Sequence, residues 1–186
     1  FEQLGEGQVV GVDPRVLAIK ASEKLTSDLK GKGIALQFVD ENLVDAVWED
    51  RPEPSGATIE VLAEVHAGEP ANAKLDRLRE KMQSAGVTSH VITSLDSIAW
   101  LFNLRGADVE YNPVFLAYAA VQEDRALLFV DERNLSSDAR EKLSGLAELR
   151  PYPGIEDYLS SCDQSGDCVW LDEGTTNRWI ADLVGD

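Results

Sequence analysis

Residues Arg51-Pro52-Glu53-Pro54-Ser55-Gly56 constrain the fold more than any other stretch of this chain. Two prolines in three positions remove backbone donors and fix φ, so neither a helix nor a paired strand can run through them. The chain is therefore expected to divide here, with 51–56 as a linker. Upstream the pattern reads strand, helix, strand, short helix. Gln8–Asp13 is an apolar strand, Pro14 suits a first helical turn, and Leu17, Ala21, Leu25 and Leu29 recur at helical spacing until Gly31 and Gly33. Ile34–Val39 reads as a second strand, and Asn42–Trp48 as a helix with Leu43, Val44, Val47 and Trp48 on one side. Two strands and two helices make a poor core. Residues 1–50 are thus expected to be the end of a domain whose beginning lies elsewhere, with apolar strand edges near 9–12 or 34–39 left mobile, paired with another copy, or covered. The opening Phe1-Glu2-Gln3-Leu4, without an initiator Met or a signal-peptide pattern, leads to the same expectation of an internal piece.

Downstream, residues 57–186 read as one complete domain. Ala71–Ala85 is a helix with Leu75, Leu78 and Met82 inward and charged residues outward, stopped by Gly86. Val87–Thr93 is a strand, and Ser94-Leu-Asp-Ser97 starts a helix through Phe102. Val114–Val121 and Ala126–Asp131 form a hairpin about the polar turn 122–125. Helices are expected at 137–146 and 155–161, strands at 149–152 and 168–172, and a last helix capped by Thr175 with Trp179, Ile180 and Leu183 inward. The hairpin breaks a strictly parallel order, so the expected fold class is α/β, a mixed β-sheet flanked by helices on both faces.

Composition narrows the function. Against 17 Lys and Arg stand 34 Asp and Glu, a formal charge of −17. Nucleic-acid binding requires a cationic footprint, and a surface this acidic repels phosphate and anionic lipid, so neither nucleic acid nor membrane is an expected partner. No run approaches the ~20 apolar residues of a membrane span. Two cysteines, Cys162 and Cys168, are not a disulfide scaffold and fit a reducing cytoplasm, although they could close a small loop if oxidised.

Active-site patterns are missing. The two histidines, His66 and His90, fall in a polar connection and in a strand that turns them to the surface. There is no H-E-x-x-H, G-x-S-x-G or phosphate-binding glycine loop. Ser94 reads as a helix cap, and the two thiols lie in an acidic stretch that works against a thiolate. Gly5-Glu-Gly7 is a turn and Gly31-Lys-Gly33 a helix stop. What stands apart is Trp100–Phe115, where an apolar helix end runs into Asn103, Arg105, Asp108, Tyr111 and Asn112. Polar groups between apolar elements must be hydrogen-bonded. Asn103 and Arg105 either pin this corner, Arg105 to Asp108, or line a cleft and meet a ligand's carbonyl or carboxylate.

Val91–Tyr118 closely resembles the middle domain of cytosolic-type Xaa-Pro aminopeptidases, of the creatinase/prolidase superfamily. Val10-Gly-Val-Asp-Pro14, Glu41–Pro52, Lys74–Met82 and Leu128-Phe-Val-Asp131 agree in the same order. The resemblance implies a creatinase N-terminal-like fold: residues 1–50 the C-terminal part of a first such domain, 57–186 a second, and a catalytic metallopeptidase domain outside this chain. That domain would carry two divalent ions, manganese in many members, on an Asp, Asp, His, Glu, Glu set, and would remove the first residue of peptides with proline second. No residue here matches those ligands, so this stretch alone is expected to be inactive, with no cofactor, metal or catalytic residue of its own. Asn103 and Arg105 would sit at the rim of the substrate cleft. The implied partners are the parent's own catalytic domain, a proline-containing peptide, and a second copy in a homodimer. The alternative is a catalytically inactive peptidase-like module that binds a basic protein, as in a histone chaperone.

Overall fold

A computed structural model of the chain describes residues 4–165 and 167–185. Its contacts group residues 4–53 with 172–185 as one unit and residues 54–171 as another.

In the first unit, β1 (Val9–Val12) and β2 (Ala35–Phe38) pair in parallel, joined by α1 (Ile19–Lys30). The helix does not start at Pro14. Asp13 accepts from the Arg15 N–H at 2.8 Å and caps a separate 3-10 turn, Pro14–Val16. That offset moves the buried stripe to Ile19, Ser22 and Leu29, leaving Leu17 outside the helix and Ala21 exposed. The last helix, Arg178–Val184, belongs to this unit and not with 57–171. The Ile19 and Lys20 N–H groups donate to the Thr176 and Glu173 carbonyls at 2.9 and 3.0 Å, and Arg178 N–H donates to Leu17 at 2.8 Å. These backbone bonds tie residues 173–178 to the start of α1. The helix cap is Asn177, whose side chain accepts from Ile180 N–H at 3.0 Å, and not Thr175.

The remaining helix of the unit, α2 (Leu43–Val47), begins at a capping Asn42 and buries none of its residues. Leu43 and Val47 are 77% and 78% exposed. An apolar helix face in water favours self-association and contributes no packing. Leu43→Glu with Val47→Glu is therefore expected to shift stability by no more than about 0.5 kcal/mol while reducing self-association in sedimentation velocity. A large loss of stability would show that the face is packed.

The second unit is built on a five-stranded mixed sheet. Before it come β3 (Glu60–Val61), the short α3 (Glu64–Ala67) and α4 (Ala71–Ala85). Then follow β4 (Ser89–Ile92), α5 (Leu95–Phe102), β5 (Leu104–Arg105), β6 (Ala117–Gln122), β7 (Ala126–Val130), α6 (Ser137–Leu143), β8 (Glu148–Arg150), α7 (Ile155–Ser165) and β9 (Val169–Trp170). The order is β8-β7-β6-β4-β9, antiparallel about β6 and parallel at both edges. A separate antiparallel pair joins β3 to β5.

The hairpin turn 122–125 closes with the Gln122 N–H to Arg125 carbonyl bond at 2.8 Å. All five β7 residues are buried, because helices cover both faces. Leu128 and Val130 pack into one core with Leu75, Met82, Ile98 and Phe102, while the Phe129 ring on the other face lies 5.6 Å from Tyr158 of α7. Cys162 is buried on α7, not in a loop, and Cys168 is exposed. Burial pushes the Cys162 thiol above its ordinary value.

Candidate functional site

The corner between α5 and β5 gathers the polar groups. Helix α5 ends because Asn103 turns left-handed at φ 53°, a conformation asparagine tolerates better than other side-chain-bearing residues. The Asn103 side chain is buried. Its Oδ1 accepts from Lys74 Nζ at 2.6 Å, its Nδ2 donates to the Glu69 carbonyl at 2.8 Å, and its own carbonyl accepts from Leu62 N–H at 2.8 Å. One residue thus ties together α4, the turn before it and the segment after β3.

Lys74 is the centre of this arrangement. It is buried, donates also to the Trp100 carbonyl at 2.7 Å, and holds its ammonium 4.3 Å from the Trp100 ring centroid. Two oxygens and an aromatic face therefore receive its three protons. Burial pulls its pKa below the ordinary lysine value, and the Glu69 carboxylate opposes that. Arg77 pairs with Glu69 and lies 5.9 Å from the same ring, while Trp100 itself stays half exposed. Trp100 is thus an aromatic surface flanked by two cations in an acidic chain.

Of the two residues expected here, Asn103 lies inside the corner and Arg105 is half-buried on β5. The expected Arg105–Asp108 pair does not form. Arg105 Nη1 donates to the Ala99 and Leu104 carbonyls at 3.0 and 2.7 Å, capping the carbonyl end of α5. Asp108 accepts instead from Leu116 N–H at 2.8 Å and from the Ser55 hydroxyl. These bonds pin a tight loop that presents Tyr111, left-handed at φ 62° and 95% exposed.

Other candidates have local partners. Ser94 starts α5, but its hydroxyl donates to Asp96 instead of capping a backbone N–H. The His90 ring nitrogen bonds the Trp170 carbonyl at 2.9 Å, and His66 is exposed on α3. Among the described residues no group of three or more His, Cys, Asp or Glu could hold a metal ion, and no helix is long and apolar enough to cross a membrane. Lys74 was not singled out by sequence reasoning. The signal was its phase: it stands three residues after Ala71 and next to Leu75, on the inward stripe of α4.

The chain is 44% identical over 155 residues to a "Probable Xaa-Pro aminopeptidase P" of Arthroderma gypseum and 42% over 155 residues to that of Pyrenophora teres f. teres. Each alignment covers 83% of this chain and 24% of the relative, so the chain spans about a quarter of those proteins' length. The crystal structure of X-prolyl aminopeptidase from Caenorhabditis elegans, a cytosolic enzyme with a di-nuclear active site, superposes with a TM-score of 0.90. That match is 29% identical and covers 100% of this chain and 31% of the nematode enzyme. The Creatinase/Prolidase N-terminal domain family matches residues 50–186, about three-quarters of the chain, and the protein described here belongs to that family.

Proposed function

We propose that this chain is the non-catalytic N-terminal and middle portion of a metal-dependent Xaa-Pro aminopeptidase, which removes the first residue from peptides with proline in second position. The supporting observation is the likeness of the whole chain to the nematode enzyme, at a TM-score of 0.90. In this reading residues 1–50 are the C-terminal part of a first creatinase N-terminal-like domain, and the exposed face of α2 is covered by what precedes them. Two divalent ions, manganese by the family resemblance, and their ligands belong to a catalytic domain outside this chain. This stretch alone is inactive. The parent works in the cytoplasm as a homodimer.

Asn103 and Arg105 divide the work at the substrate-cleft rim. Asn103 and Lys74 brace the corner. Arg105, with the exposed indole of Trp100, shapes the cleft mouth and orients the peptide. In the longer chain encoded by the source gene, Arg105→Ala is expected to raise KM or lower kcat by about two- to tenfold, with chelation abolishing activity. Unchanged kinetics with lowered stability would remove the rim role.

The formal charge of −17 favours one other reading, an inactive module that binds a basic protein. Salt-sensitive capture of a basic protein, together with no metal-dependent peptidase activity in the longer chain, would select it.

A further inference from the structure

A cleft of about 370 Å³ opens in the second unit between α4, the β6–β7 turn and the connection from α6 to β8. Arg79 and Arg125 both line it, and both hang from one residue. Arg79 donates Nε to the Gln122 carbonyl at 3.1 Å, and Arg125 donates Nε to Gln122 Oε1 at 2.5 Å. Mooring both guanidiniums through Nε fixes their planes and leaves their Nη edges to other partners. Among the described residues those edges are poorly matched. Arg79 Nη1 stands 3.5 Å from Asp76, too far for a good hydrogen bond. Among the described residues no carboxylate lies within ion-pair distance of Arg125. Glu148 lines the same cleft but is taken by Arg150 at 2.5 Å.

We propose that this cleft binds a small monocarboxylate carrying a short apolar tail. A carboxylate is planar and accepts two parallel N–H donors from a guanidinium fork, a match no neutral group reproduces. Asp124 and Glu148 also line the cleft and repel a second negative charge, which disfavours phosphate and other dianions. Leu75 and Leu146 supply an apolar wall for the tail. The site is separate from the Lys74–Asn103 corner and does not depend on the aminopeptidase reading.

The test is to follow the arginine Nε–Hε signals of the full chain by NMR while adding isovalerate, isoamyl alcohol or inorganic phosphate. Isovalerate is expected to shift Arg79 and Arg125 saturably, while the alcohol shifts neither and phosphate binds more weakly. Arg125 is exposed in a turn, so Arg125→Gln is expected to fold normally and to weaken isovalerate on the order of tenfold. Asp124→Asn should improve phosphate binding relative to isovalerate. Absence of a saturable isovalerate shift, phosphate binding as tightly as isovalerate, or full isovalerate affinity in Arg125→Gln would each overturn the proposal.

Discussion

Asn103→Leu is expected to destabilise the unit of residues 54–171 by about 3–5 kcal/mol, the usual cost of removing one partner of a buried, hydrogen-bonded charge. The substitution keeps the side chain's size but takes away the acceptor 2.6 Å from Lys74 Nζ and the donor 2.8 Å from the Glu69 carbonyl. It also places a branched side chain at φ 53°, where asparagine is tolerated better. Lys74→Met should cost less, about 1–3 kcal/mol, because it removes the charge along with its need for partners. Combining Lys74→Met with Asn103→Leu should then cost clearly less than the sum of the two, since no orphaned ammonium remains.

Urea unfolding of the four proteins in the cycle checks this, with hydrogen exchange at β6 and β7 reporting on the unit itself. Strict additivity would mean that the Lys74–Asn103 bond contributes nothing. The pH dependence adds a second readout. The folded-state pKa of Lys74 lies below its unfolded value, so the unfolded chain binds more protons between the two. The penalty of holding the ammonium is therefore full below the folded pKa and gone above the unfolded one. Stability of the wild type relative to Lys74→Met should accordingly rise through the alkaline range.

What the sequence disclosed, and what it did not, follows from the range of the interactions. The β6–β7 hairpin was legible because a polar turn of four residues sits between two apolar runs, and its register follows from that turn alone. The inward stripe of α4 is legible through Leu75, Leu78 and Met82, but at Lys74 charge points outward and phase points inward, and the phase prevails. Pro14 and the apolar spacing from Leu17 run α1 back to the first turn, whereas Asp13 caps a separate 3-10 turn there, a local choice that spacing does not report. In α2 the apolar side is real, yet periodicity says nothing about whether anything lies beneath it. The backbone bonds that join Glu173, Thr176 and Arg178 to Lys20, Ile19 and Leu17 span more than a hundred residues, which no local pattern encodes. At the corner itself, sequence nearness suggested Arg105 with Asp108. Three-dimensional closure gave Arg105 the carbonyls of α5 and gave Asp108 the loop.

Gly106→Ala is expected to destabilise the same unit for a steric reason, though by less than the loss of Asn103. A Cβ at position 106 would stand 2.7 Å from Phe115 Cβ, 3.1 Å from the Val114 carbonyl oxygen and 3.4 Å from Phe115 Cα. None of these atoms is the end of a flexible side chain, so none can swing aside. The Phe115 ring is fully buried in the core of the unit, and the segment is further fixed by Asp108 N–H to the Val114 carbonyl at 3.1 Å and by Asp108 to Leu116 N–H at 2.8 Å. Making room means moving Phe115 within a packed interior or opening the loop, which costs about 1–3 kcal/mol and occasionally more. For a chain of this length that is a fall in Tm of about 2–4 °C per kcal/mol. Gly106→Val should do worse. Gly5→Ala, at a position with no atom within 4 Å of the added carbon, should leave Tm essentially unchanged and serves as the control. Thermal unfolding, read alongside exchange of the Leu116 amide, separates the two mechanisms: a displaced Phe115 lowers Tm with that amide still protected, while an opened loop exposes it. An unaltered Tm in Gly106→Ala would mean that residues 106–116 are not held against β5. The geometry that presents Arg105 and Trp100 together would then lose its support, since Gly106 is the residue that lets the returning chain close on the corner.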